Sequence, residues 1–175
     1  MEEDKIISLH LEEKFEDNKK FEISAKAASN SLTIKGMIED YPGDTSFVIN
    51  TIKKNAILKK VVEYLNHIHE KPKEISTIEK PLKSNNFEKC ISQWEKEFLN
   101  IDINEIIELY QAASFLNIRP LIDLIAAKCA SRIRDITTEI IRKEFKIGKL
   151  TDDEEQFIRK QKEDLISYYL NLKKK

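Results

Sequence analysis

Residues 108–135 read ELYQAASFLNIRPLIDLIAAKCASRIRD, and residues 139–147 follow with EIIRKEFKI. Ile106, Ile107, Leu109, Tyr110, Ala113 and Leu116 repeat at helical spacing and predict a helix over 104–116. Pro120 suits the first turn of the next helix, where its missing N–H costs nothing. That helix carries Leu121, Ile122, Leu124, Ile125, Ala126, Ala127, Cys129 and Ile133, so it is apolar nearly all round and is expected to be buried on several sides. Thr137 or Thr138 is placed to cap EIIRKEFKI, with Gly148 as its stop. Thr151 opens TDDEEQFIRK as a capping box with Glu154, and Asp152 and Asp153 favour the positive end of the helix. Residues 171–175 are expected to fray. These last helices offer more apolar surface than one core layer uses: Ile140, Ile141, Phe145 and Ile147, then Phe157, Ile158, Leu165 and Ile166. A contiguous apolar patch of that kind marks an interaction site. A bundle closed on itself is the competing reading.

Working toward the N-terminus, Phe87 to Leu99 predicts a helix that holds the single tryptophan, Trp94. Before it lies 71–86, with Pro72 and Pro81 and no sustained period, which reads as a linker compatible with disorder. Residues 55–69 form the clearest helix, with Ile57, Leu58, Val61, Val62, Leu65 and Ile68 on one stripe and Asn55 as its candidate N-cap. The first fifty residues hold the strand patterns, around Ile6–Leu11, Phe21–Ile23 and Phe47–Ile49. A polar hairpin connection joins the first two. Two short helices lie between the second and third, the latter capped by Ser31 and carrying Leu32, Ile34, Met37 and Ile38. Pro42-Gly43-Asp44 supplies the break before the third strand.

Composition narrows the function. The chain has 175 residues, 30 basic and 31 acidic, for a net charge of −1. That balance gives no general attraction to nucleic acid or to a membrane surface. No run approaches the ~18 apolar residues of a membrane span, and the acidic N-terminus is no secretory signal. With 3 glycines a phosphate-binding loop is not available. Cys90 and Cys129 read as buried free thiols of a reducing compartment, cytosol or nucleus. His67 and His69, two apart on a helix, do not face one another and read as an exposed or half-packed pair, not a metal site. No catalytic grouping, metal site or cofactor site is visible.

In order and spacing the segments resemble the Skp family, the S-phase kinase-associated adaptors of SCF ubiquitin ligases, over roughly residues 5–163. FEI and then LTIKGMIED match its strand and T-I-K-x-M-L-E-D run. NAILKKVVEYLNH is similar to its N-x-x-I-L-x-K-V-I helix, and WEKEFL to W-D-x-E-F-L. ELYQAASFLNIRPLIDL is similar to E-L-x-x-A-A-N-Y-L-x-I-K-x-L-L-D-L. IRKEFKI and TDDEEQFIRK are similar to I-R-x-x-F-N-I and T-x-E-E-E-x-x-V-R-x. Elongin C shares the first part of that fold but lacks the last two helices.

The resemblance implies a mostly helical α/β fold: a BTB/POZ-like core with a small mixed sheet over 1–134, then C-terminal F-box-binding helices over 135–175. It implies a non-catalytic adaptor between F-box proteins and the N-terminal domain of a cullin, with a homodimer open to the unbound chain. Its F-box-binding residues would be Ala126, Cys129, Ile133, Ile141, Phe145, Ile147, Ile158 and Leu165. Its cullin-binding residues would be Ser114 and Phe115. Four features depart from the family. Ser114 and Phe115 stand where Asn and Tyr are usual, Thr138 where many members have Pro, Asp164 where a Trp is found, and 71–86 is not the acidic stretch common there. An F-box-binding scaffold outside ubiquitin ligases, or a BTB homo-oligomer with a self-contained helical tail, are the rival readings.

Overall fold

The computed structural model describes residues 4–15, 19–80, 87–133, 137–144 and 148–172. The chain divides into two units, Met1–Asp135 and Ile136–Lys175.

In the first unit, strands β1 (Ile6–Leu11), β2 (Phe21–Ser24) and β3 (Ser46–Ile49) form a mixed sheet of order β2-β1-β3. β1 runs antiparallel to β2, with Ile7 opposite Ile23, and parallel to β3, with Leu9 opposite Phe47 and Leu11 opposite Ile49. The two-residue side-chain period then sends Ile7, Leu9, Leu11, Ile23, Phe47 and Ile49 into the core together. The short helix α1 (Ala25–Ala28) and α2 (Leu32–Asp40) fill the connection between β2 and β3.

The long helix α3 (Asn55–Glu70) packs against the sheet and against α5 (Ile103–Phe115). Its stripe of Ile57, Leu58, Val61, Val62, Tyr64 and Leu65 is buried, as its spacing predicts. Asn55 is its first helical residue, not its cap; the cap position falls on Lys54, whose side chain makes no capping bond.

Ser31 does cap α2. Its hydroxyl accepts from the Ile34 N–H at 3.1 Å and donates to the Leu116 carbonyl at 2.6 Å, from a fully buried position. Ser31→Ala therefore removes a cap and an interhelix bond together. It is expected to cost about 2 kcal/mol in urea unfolding, with the denaturant dependence unchanged.

The predicted helix 87–99 is broken. A 3₁₀ turn covers Phe87–Lys89, and α4 begins afresh at Gln93–Phe98. Ser92 is the reason: it forms a full capping box with Glu95, and a serine so placed starts a helix instead of continuing one. Residues 71–80, read from the sequence as linker compatible with disorder, are tied to the core. Pro72–Glu74 form a 3₁₀ turn, and Ile75 and Ile78 pack on buried side chains. Ser76 donates its N–H, at 3.1 Å, and its hydroxyl to the carboxylate of Glu95, which is 0% exposed. Residues 81–86 of that segment lie outside the described residues.

His67 also departs from expectation. Only 8% exposed, its ring stacks on Trp94 at 3.6 Å between centroids and 4° between planes, and Nε2 lies 3.5 Å from a Glu74 carboxylate oxygen. Trp94 stacks in turn on Phe98 at 4.9 Å, and Tyr64 closes the cluster. Burial pushes the Tyr64 phenol well above its ordinary range, helped by the negative charges of Glu95 and Asp123. His69 is exposed.

Candidate partner-binding surfaces

The end of α5 is fixed by its own backbone before any partner arrives. Asn117, with φ 52°, takes the left-handed turn after the helix. The Ile118 N–H then reaches back to the Ala113 carbonyl at 2.9 Å, and the Asn117 N–H to that of Ser114 at 3.2 Å. This is a Schellman closure, and asparagine is among the few side chains that accept its left-handed residue. The sequence reading missed Asn117, although an asparagine just past a helical stripe is the ordinary mark of such an end. The closure leaves Ser114 exposed and Phe115 42% exposed, with Tyr110, one turn earlier, at 41%. Both residues expected to face a cullin are therefore on the outside of the fold.

Next comes α6 (Arg119–Ile133). It is not buried on several sides. Leu121, Leu124, Ile125 and Ala127 are covered, whereas Ala126 is exposed, Cys129 half-buried and Ile133 exposed. Positions 126, 129 and 133 share one helical face, so the expected residues form one outward strip. Neither cysteine is in a disulfide, and both are half-buried, not buried as the sequence suggested. Burial raises the Cys129 thiol above its usual range, partly opposed by Arg132.

The second unit holds α7 (Thr138–Glu144) and α8 (Asp152–Leu172). The Thr137 carbonyl accepts from the Ile141 N–H at 3.0 Å, which puts Thr137 at the helix start. Ile141 is half-buried and Ile140 exposed; Phe145 and Ile147 lie outside the described residues. On α8, Phe157, Ile158, Leu165 and Ile166 are all exposed, between 48% and 62%. Their spacing of seven to nine residues lays them along one stripe, with Gln161 and Lys162 on the turn between. Covering four half-exposed side chains of this size contributes on the order of 4 kcal/mol. The helix α8 also runs further than expected, through the predicted fraying point to Leu172.

Thr151 and Glu154 form the capping box at the start of α8: the Thr151 N–H donates to Glu154 at 2.8 Å, and the Glu154 N–H to the Thr151 hydroxyl at 3.4 Å. Those bonds hold the Glu154 carboxyl below its ordinary 4.5. A depressed folded value means that the stabilisation is complete above 4.5 and is lost as pH falls through the folded value. The protection of the first-turn amides of α8, measured as exchange relative to the intrinsic rate at each pH, is therefore expected to fall as pH drops below 4.5. In Glu154→Gln that acid dependence should be absent.

Similarity to known proteins follows the same segments. Residues 14–70 match the family description "Skp1 family, tetramerisation domain", and residues 119–165 match "Skp1 family, dimerisation domain". The S-phase kinase-associated protein 1 homolog of Tetrahymena thermophila is 35% identical over 148 residues, spanning 83% of this chain and 87% of that protein. The SCF ubiquitin ligase complex proteins SKP1a and SKP1b of Dictyostelium discoideum are each 36% identical over 148 residues, spanning 84% of this chain and 90% of theirs.

Proposed function

The chain belongs to the Skp1 family, and from that premise we propose that it is a non-catalytic adaptor of an SCF-type ubiquitin ligase. In this role it joins F-box substrate receptors to the N-terminal domain of a cullin, in cytosol and nucleus. The observation that carries the reading is the distribution of uncovered apolar side chains. The first unit closes a full core around the sheet and α3, yet Ile133 on α6 and four large side chains on α8 stay exposed. An F-box is a small helical motif that completes its core on an adaptor, and obligate interfaces of that kind resemble a domain core cut in half. Ala126, Cys129 and Ile133, then Ile141, Phe145, Ile147, Ile158 and Leu165, are the residues assigned to it. Ser114 and Phe115 are assigned to the cullin.

Affinity purification of the tagged full-length chain from its native organism, followed by mass spectrometry, tests this directly. Recovery of F-box proteins together with a cullin is the expected outcome. Ser114, Phe115 and Asp164 favour one second reading, an F-box scaffold outside ubiquitin ligases; it predicts F-box proteins without a cullin. Recovery of neither, with a homo-oligomer in solution, contradicts both.

A further inference from the structure

Leu32 opens α2 at the helical spacing of Ile34, Met37 and Ile38, yet it does not share their burial. Ile34 is fully covered, Met37 and Ile38 pack on the core, and Leu32 is 56% exposed. The residues on either side of it are bonded to the last carbonyls of α5. Ser31 donates its hydroxyl to Leu116, Thr33 donates its hydroxyl to Phe115 at 2.8 Å, and the Thr33 N–H points to Leu116 at 3.4 Å. These donors satisfy carbonyls that a helix end leaves open. They also hold the backbone of Leu32 beside that of Phe115 in a fixed register, across more than eighty residues of sequence. Two large exposed apolar residues from distant parts of the chain thereby sit at neighbouring backbone positions, one at the start of α2 and one at the end of α5.

We propose that the first turn of α2 is the second half of the cullin-facing surface, with Leu32 as an apolar anchor beside Phe115 and with Ser31 and Thr33 as positioning residues. The inference rests on the adaptor reading above. The occupant is the cullin N-terminal domain because the patch is continuous with Ser114 and Phe115, the face assigned to that partner. The chemistry suits this chain in particular. Phe115 has no hydroxyl to donate, so recognition here draws on apolar area, which Leu32 enlarges. The matching patch on the partner is therefore apolar.

Calorimetric titration of the full-length protein with the purified cullin N-terminal domain of its own organism, and separately with an F-box domain, tests the assignment. Leu32→Glu is expected to weaken cullin binding at least ~10-fold, with F-box affinity and melting temperature unchanged. Leu32→Ala is expected to lose about threefold, and Tyr41→Glu, exposed at the far end of α2, nothing. Wild-type cullin affinity in folded Leu32→Glu and Leu32→Ala, while Phe115→Glu loses binding, overturns the role of Leu32 and leaves the adaptor reading standing. A wild-type chain that binds the F-box domain but no cullin overturns this inference and the ligase connection together.

Discussion

Glu95→Ala is expected to lower the free energy of unfolding by about 3 kcal/mol. The Glu95 carboxylate is 0% exposed and gathers three donors: the N–H and hydroxyl of Ser76 and the Ser92 N–H at 2.9 Å. Truncation takes the acceptor from both Ser76 donors, leaves the Ser92 N–H only the Ser76 hydroxyl at 3.0 Å, and dissolves the capping box of α4. Hydrogen bonds to a charged group contribute ~1.5–3 kcal/mol each, and an N-cap about 1, before water and local relaxation recover part of the loss. Because the single tryptophan, Trp94, adjoins Glu95 in sequence, urea unfolding followed by its fluorescence reports on the same neighbourhood. Protease cleavage within 71–80 should quicken in parallel, since Ser76 loses the group that holds it. A loss under about 0.5 kcal/mol would mean that the packing of Ile75 and Ile78 alone fastens this segment.

The second large effect belongs to binding and not to stability. Ile158→Glu combined with Leu165→Glu should weaken F-box binding by ~100-fold or more, about 2.7 kcal/mol, because two carboxylates would be forced into an apolar contact. The melting temperature should stay within about 2 °C of the wild type, since surface substitutions away from packed contacts seldom matter. Both side chains are already at least half exposed, so the free chain loses little packing when they change. A large fall in melting temperature with unchanged binding would make α8 part of a self-contained tail, the bundle reading that the sequence left open.

Much of the architecture was readable from local pattern. The alternation of Ile7, Leu9 and Leu11, the stripe of α3, the Ser31 cap and the Thr151–Glu154 box depend on residues within a few positions of each other, and the structure shows each of them. What was misread depends on distant residues. Leu32 and Ile34 look alike in sequence. Two positions apart on a helix, they face nearly opposite sides, and the bonds from Ser31 and Thr33 to the end of α5 hold the helix so that Ile34 meets the core. His67 read as exposed or half-packed because its partner, Trp94, lies 27 positions away. Residues 71–80 have no period because their order comes from Glu95 and the core, not from a helix or strand of their own. On the candidate surfaces, the outward strip of α6 was hidden by a helix apolar on nearly every side. Periodicity cannot say which side the fold leaves uncovered.

One mixing experiment tests the adaptor role most directly: size-exclusion chromatography with light scattering of the purified chain, an F-box domain and the cullin N-terminal domain of the same organism. The expected result is a single species with one copy of each, and binary complexes of the chain with either partner alone, since the residues assigned to the two partners are separate sets. Persistence of a homo-oligomer of the chain in the presence of both partners, with neither bound, would contradict it.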